Sequence, residues 1–376
     1  MKIAAIATSR LPATTANSIQ VMKACQALVQ LGHQLSVFVP ELKPTGATIT
    51  PADLALQYGL RSEFPVTWLP GRAGMRRYDF CLDAVRRARQ MGVDVVYTWA
   101  VQAALFALLS DLPAVLEVHG PPEGWLGPQV FRSFLQIRGR KRLLVITQAL
   151  LQMLRKKYAR LRIDEIVVAH NGVDIEQYAD LPSPQAARKD LGLPEVFTAV
   201  YSGHLYPGRG LSMLEELAMR FPQAQFVCLG GQPEQVNAWR HHLEGLACHN
   251  VRLLGFIPNQ ELPSYQAAAD VLLMPYERAI AGSGGGDSAA YASPMKMFDY
   301  MACRRAILSS DLPVIREILN ERNGVLCPPE DPHAWSAAFS RLMGDESLRK
   351  QLAEQAWADV QDYTWQKRAA RALVGF

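Results

Sequence analysis

No Asp-x-Asp pair occurs anywhere in the 376 residues, so the chain lacks the short paired-carboxylate motif that most simply clamps a divalent cation onto a diphosphate. Other metal-ligand patterns are missing as well. The six cysteines (Cys25, Cys81, Cys228, Cys248, Cys303 and Cys327) are scattered, with no Cys-x-x-Cys and no histidine beside them at ligand spacing. This excludes a zinc knuckle and a disulfide framework, and the cysteines read as small core residues in a reducing cytosol. No run of about 20 apolar residues is present to cross a bilayer, and the apolar start at residues 3–7 is shorter than a signal-peptide core. The expectation is a cytoplasmic protein. Low-complexity tracts are absent, and 49% apolar with 20% charged residues is the composition of an ordinary globular enzyme.

A chain of this length exceeds the roughly 250–300 residues at which one hydrophobic core stops growing, so two domains are expected. Apolar strand candidates at 3–7, 35–39, 94–97, 114–118, 143–146 and 166–169 are separated by segments that suit helices, the first from about 17 to 31. After Asn171-Gly172-Val173-Asp174 the periodicity lapses around Pro182, Pro184 and Pro194, which reads as a linker. A second alternation follows, with strand candidates at 197–202, 225–229, 251–253, 270–274, 306–309 and 324–327. The pattern predicts an α/β protein of two Rossmann-like, doubly wound parallel-sheet domains, residues 1–180 and 195–363. Such sheets bind ligands beyond the carboxyl ends of their strands, so the site is expected in a cleft that the two domains face.

Ala292-Ser293-Pro294-Met295-Lys296-Met297-Phe298-Asp299-Tyr300-Met301-Ala302 lies between strand candidates. Ser293 suits an N-cap and Pro294 the first helical position, which predicts a helix whose free N–H groups can receive a diphosphate. A well-capped buried helix would look the same. Gly203-His204-Leu205-Tyr206-Pro207-Gly208-Arg209-Gly210 follows the first strand of the second half. Its glycines allow close backbone approach to phosphate and Arg209 offers a charge-assisted bond, although a turn with a solvated arginine fits too. Gly282-Ser283-Gly284-Gly285-Gly286 carries no lysine at P-loop spacing and reads as a mobile loop, a candidate lid. Glu117-Val118-His119-Gly120 ends a strand candidate, where His119 is either structural or placed for chemistry in a loop. His241, His242 and His249 carry no such context.

Together these residues resemble the retaining glycosyltransferases of family 4, which have the GT-B fold. The likeness runs from the opening Met-Lys-Ile strand and Ala16-Asn17-Ser18, through Asn171–Asp174 and 203–210, to the 293–302 helix and Tyr363-Thr364-Trp365. By this resemblance a last helix, about 364–376, crosses back onto the first domain. Arg209 takes the place of a lysine that contacts the diphosphate, His204 stands where an arginine is common, and His119 falls where a histidine lies near the donor sugar. Ser293, Pro294, Met295 and Lys296 form the diphosphate-binding start of the helix. Asp299 matches the second acid of a paired motif, the one that binds the ribose hydroxyls, and Tyr291 stands where the first would be. On the helix Asp299 lies near Met295, Lys296 and Cys303, and an ion pair with Lys296 or Arg305 is its alternative role.

The resemblance implies a metal-independent transfer, with retention, from a nucleoside diphosphate sugar to a glycan or lipid-linked acceptor. No resident cofactor and no nucleic acid is expected. A sugar-nucleotide epimerase of the same fold and a binding-only relative are the alternatives; Thr8-Ser9-Arg10-Leu11-Pro12, where a glycine-rich turn would be needed, argues against a third, a nicotinamide-dependent dehydrogenase. Residues 1–170 hold 21 basic and 11 acidic side chains. Arg132, Arg138, Arg140, Lys141, Arg142, Arg155, Lys156, Lys157, Arg160 and Arg162 precede the next acid, Asp164. This cluster suits peripheral contact with an anionic membrane, or the solvated faces of two helices.

Overall fold

The computed structural model describes residues 1–41, 49–75, 77–281 and 287–376. The glycine run 282–286, the candidate lid, lies outside the described residues. The chain divides into two compact units. One comprises Met1–Asn171, Tyr291–Ser293 and Trp365–Phe376; the other comprises Gly172–Ala290 and Pro294–Thr364.

The first unit alternates strand and helix: β1 (Lys2–Ile6), α1 (Ala16–Gln30), β2 (Gln34–Pro40), α2 (Pro51–Tyr58), β3 (Val66–Leu69), α3 (Tyr78–Gln90), β4 (Val95–Thr98), α4 (Val101–Leu109), β5 (Ala114–Val118), α5 (Gly127–Gln136), β6 (Lys141–Val145), α6 (Gln148–Lys157) and β7 (Ile166–Val168). Its strands form a parallel sheet in the order β3-β2-β1-β4-β5-β6-β7. Every residue of β4 and β5 is buried, as expected of central strands covered on both faces. One face packs Ile6, Val96, Leu116 and Val145 against Phe80, Ala104, Phe131 and Leu150 of the helices. The strand order reverses between β1 and β4, the switch point where such sheets receive ligands.

The second unit opens with α7 (Pro184–Asp190) and continues β8 (Thr198–Ser202), α8 (Leu211–Arg220), β9 (Gln225–Leu229), α9 (Pro233–Gly245), β10 (Val251–Gly255), α10 (Leu262–Ala267), β11 (Val271–Met274), α11 (Met295–Ala302), β12 (Ala306–Ser310), β13 (Val325–Cys327), α12 (Pro332–Gly344) and α13 (Glu346–Val360). Its parallel sheet has the order β10-β9-β8-β11-β12-β13, reversing between β8 and β11. Phe339 of α12 anchors the core, its ring 5.4 Å from Phe226, 4.8 Å from Phe221 and 5.6 Å from Phe197.

The last helix, α14 (Trp365–Leu373), belongs to the first unit and packs on α1. Its buried Trp365, Arg368, Ala369, Ala372 and Leu373 recur at three- and four-residue steps, one stripe of a helix. Part of the basic cluster serves this packing. Arg142 Nη1 donates to Ala372 O at 3.1 Å, the Arg140 guanidinium donates to Gly375 O, and both guanidiniums face the Phe376 ring. Lys141 Nζ donates to Phe134 O, Leu135 O and Ile137 O at 3.0, 3.0 and 2.6 Å. Cations thus satisfy the C-terminal carbonyls of α14 and α5.

Three local expectations are corrected. β3 has no counterpart among the strand candidates, because its four residues sit between Pro65 and Pro70 and only Leu69 is buried. The segment read as a linker, where periodicity lapses, contains α7, started by Ser183, whose side chain accepts from Ala186 N at 3.2 Å. Finally, α11 begins at Met295 with Pro294 as the capping position, so Ser293 is not the N-cap and Pro294 is not the first helical residue. Ser293 Oγ instead accepts from Asn171 N at 3.0 Å, and Ser293 O accepts from Asn171 Nδ2 at 2.6 Å.

Candidate functional site

In the second unit the loops at the β8/β11 switch point are knitted together. Ala281 N donates to Pro207 O at 3.3 Å and Glu277 N to Gly208 O at 3.1 Å. Arg209 Nη2 reaches Ala281 O at 3.3 Å. Asp287 Oδ1 accepts from Ile280 N and Ala289 N at 2.8 and 2.9 Å. Gly210 has φ +77, and a Cβ there would collide with the Pro275 carbonyl, so glycine is required where this loop meets the one after β11.

Lys296, in the first turn of α11, projects into this arrangement. Its Nζ is sealed from solvent and has no hydrogen-bond partner among the described residues. It lies 3.9 Å from the Tyr201 ring centroid and 5.2 Å from that of Tyr276, while Arg209 Cζ lies 5.1 Å from the same Tyr276 ring. Gly203, with φ +149, gives the ammonium room: a Cβ there would stand 2.6 Å from Nζ. Burial, then the neighbouring Arg209 charge, push the Lys296 pKa well below the usual 10.5. Among the described residues, Arg209 Nε is also buried without a hydrogen-bond partner. Two cations thus face one aromatic ring, and α11 starts at Met295, the residue before Lys296. Such a pair of cations at a helix start can receive an anion.

Other residues singled out in the sequence lie around this centre. His204 stacks on Tyr206, centroids 4.8 Å apart, and its carbonyl accepts from Tyr201 OH at 2.8 Å. Asp299, half-buried on α11, is in hydrogen-bonding contact with the Tyr178 phenol, whose oxygen also lies 3.1 Å from Gln266 Oε1. Burial and then the Asp299 charge hold that phenol's pKa well above 10. Of the two partners considered for an ion pair with Asp299, Lys296 Nζ has no hydrogen-bond partner among the described residues, and Arg305 donates to the carbonyls of Ala267, Cys303, Arg304 and Pro182. Tyr201, Tyr276 and Tyr178 carried no sequence signal, since isolated tyrosines read as core.

In the first unit His119 follows β5, one strand beyond the switch point. Its Nε2 lies 2.6 Å from Glu117 Oε1, and its side chain is 30% exposed. Ser293 and Tyr291 are grouped with this unit: Tyr291 O accepts from Thr147 Oγ1 at 3.0 Å, and its ring covers Gly120, where a Cβ would stand 3.1 Å from Cε2.

Comparison with solved structures shows the fold. Over 100% of both chains, the protein superposes on Anabaena HepE, determined in complex with UDP, with a TM-score of 0.75 at 18% identity. A glycosyltransferase from Rickettsia africae gives 0.76 at 13% identity, covering 99% of this chain and 97% of that one. Both likenesses place the two sheets in the GT-B class. By sequence, the chain is 27% identical over 221 residues to the D-inositol 3-phosphate glycosyltransferase of Corynebacterium glutamicum, 55% of this chain and 50% of that one. The match thus spans about half the length of that relative. It is 28% identical over 310 residues to the GDP-mannose-dependent alpha-(1-6)-phosphatidylinositol monomannoside mannosyltransferase of Mycolicibacterium smegmatis, 77% of this chain and 78% of that one. The family model described as Glycosyltransferase Family 4 matches residues 18–177, and that described as Glycosyl transferases group 1 matches residues 197–345. With both halves matched in order, the chain belongs to the group 1, family 4 glycosyltransferases.

Proposed function

We propose that the protein transfers a glycosyl group, with retention at the anomeric carbon and without a metal ion, from a nucleoside diphosphate sugar to a glycan or lipid-linked acceptor. The observation that carries this reading is the buried, unpartnered Lys296 ammonium beside Arg209 at the start of α11. A diphosphate supplies the missing counter-charge, and the same cations stabilise the negative charge that develops on it as the glycosidic bond breaks. In this reading Met295 and Lys296 offer backbone N–H groups to the phosphates, Asp299 accepts from the ribose diol, and His119 lies near the transferred sugar. His204 and Pro294 shape the edge of the phosphate site, and Ser293 acts by holding the approach to α11 through Asn171.

UDP in the Anabaena structure and GDP-mannose in the name of the mycobacterial relative support a nucleotide-sugar donor. Phosphatidylinositol in that name supports a lipid-linked acceptor. Peripheral contact with an anionic membrane is supported by Arg132, Arg138, Lys156, Lys157 and Arg160, all exposed, and by Trp125, 70% exposed ahead of α5. Among the described residues no helix is long and apolar enough to cross a membrane.

A thermal-shift panel of UDP, GDP, ADP and their sugar conjugates tests the reading, because a ligand at 100 times its dissociation constant stabilises by about 2.7 kcal/mol. One base is expected to stand out, and its sugar conjugate should give a glycosylated product with the donor's anomeric configuration. No shift with any diphosphate removes the donor site. An isomerised sugar nucleotide formed without acceptor favours epimerisation.

A further inference from the structure

The Glu117 carboxylate has no exposed surface, yet it is charged and saturated with donors. Its Oε1 accepts from Gln20 Nε2, His119 Nε2 and Arg368 Nη2, each at 2.6 Å. Its Oε2 accepts from Tyr97 OH at 2.6 Å and Arg368 Nη1 at 3.0 Å. Burial alone would raise its pKa, but the Arg368 guanidinium and the His119 bond outweigh burial, and the carboxyl titrates well below the usual carboxylate range. Arg368, 4% exposed, comes from α14, and its Nε donates to His170 O at 2.9 Å.

A buried ion pair is a weak source of stability, since well-packed apolar residues of the same volume often do as well or better. This pair has one member that leads outward. Of the groups on Glu117, Gln20, Tyr97 and Arg368 are buried, whereas the His119 imidazole reaches the surface at the carboxyl end of β5. An ionised carboxylate only accepts, so His119 must carry its proton on Nε2. In the neutral imidazole this leaves Nδ1, which has no hydrogen-bond partner among the described residues, as the acceptor.

We propose that Arg368, on the terminal helix, is a positioning residue for His119, acting through Glu117. It keeps Glu117 ionised, and Glu117 in turn sets the tautomer and orientation of the imidazole. Without the guanidinium, the buried carboxyl protonates and donates to Nε2. The imidazole proton then moves to Nδ1, which changes from acceptor to donor. The effect on transfer rests on the role assigned to His119 under Proposed function; the tautomer does not.

Nitrogen-15 NMR of the full chain labelled at histidine, with the His119 signals assigned by their loss in His119→Gln, tests the proposal directly. Wild type should show the Nε2–H tautomer, Arg368→Met the Nδ1–H tautomer, and Arg368→Lys should retain the wild-type state. In transfer assays Arg368→Met should lower kcat about 10- to 100-fold, as for other groups that orient a histidine from behind, with KM for the donor unchanged. A wild-type His119 protonated on Nδ1 alone overturns the proposal even if Arg368→Met fails to fold. So does a folded Arg368→Met with the wild-type tautomer. If the tautomer changes as expected while His119→Gln transfers sugar at the normal rate, the positioning stands and the role assigned to His119 falls.

Discussion

Replacing Lys296 by methionine should stabilise the nucleotide-free protein while weakening its hold on diphosphate. The ammonium is buried without a hydrogen-bond partner and is opposed by Arg209. Leaving a buried polar group unsatisfied costs about 1–3 kcal/mol, and more when it is charged. Methionine fills a similar volume and packs well against the Tyr201 and Tyr276 rings. For a domain of about 150–250 residues each kcal/mol moves Tm by about 2–4 °C, so a rise of roughly 2–12 °C is expected. The dependence on pH has a definite sign. The folded state holds the Lys296 pKa below the unfolded value of 10.5, so between the two values the unfolded chain binds more protons and wild-type stability rises with pH. The advantage of Lys296→Met should therefore be largest on the acid side of that window and shrink as pH approaches 10.5. Losing one bond from a cation to phosphate, about 1.5–3 kcal/mol, should weaken nucleoside diphosphate binding roughly 10- to 150-fold. Calorimetric scans across pH, with and without nucleotide, read both effects. A lower Tm for the nucleotide-free variant would refute the argument that this cation is held without a counter-charge.

Asp299→Asn should weaken nucleoside diphosphate binding roughly 10- to 150-fold, by loss of charged bonds to the ribose, and leave Tm nearly unchanged; titration calorimetry beside a melting curve checks both. Liposome flotation should show binding to anionic vesicles that falls with salt and is lost when Lys156, Lys157 and Arg160 are changed together to Gln. Changing Arg140 and Arg142 should instead lower Tm, because their guanidiniums hold the end of α14. A chelator should leave transfer unchanged, and strict dependence on a divalent ion would overturn the metal-free reading.

Among the described residues, twelve of the thirteen strands coincide with apolar runs legible in the sequence, because buried parallel strands are continuous hydrophobic segments and need no partner to be recognised. The missed β3 is a short edge strand between prolines, with too little burial to leave a pattern. Helix starts were less legible. Ser293-Pro294 has the composition of a cap and first turn, yet the Ser293 hydroxyl is taken by a backbone amide 122 residues away, a long-range contact that local reading cannot contain. The same limit applies to the candidate site. Arg209, Lys296 and His119 could be chosen for their charge and their place after strands. That Lys296 lies over Tyr201, that Asp299 meets Tyr178, and that Arg368 reaches Glu117 from 251 residues away follow only from the folded sheets. The basic cluster shows the converse: ten like charges in one stretch look equivalent, but Arg140, Lys141 and Arg142 satisfy helix carbonyls.

Titration calorimetry of Arg209→Ala and Lys296→Met tests most directly the assignment of Lys296 and Arg209 to the diphosphate site. Each variant is titrated with the preferred nucleoside diphosphate and with the corresponding nucleoside. Both variants should lose at least about tenfold in diphosphate affinity, a loss of about 1.4 kcal/mol or more, and bind the nucleoside as wild type does. Equal losses for the two ligands, or none for either, would contradict it.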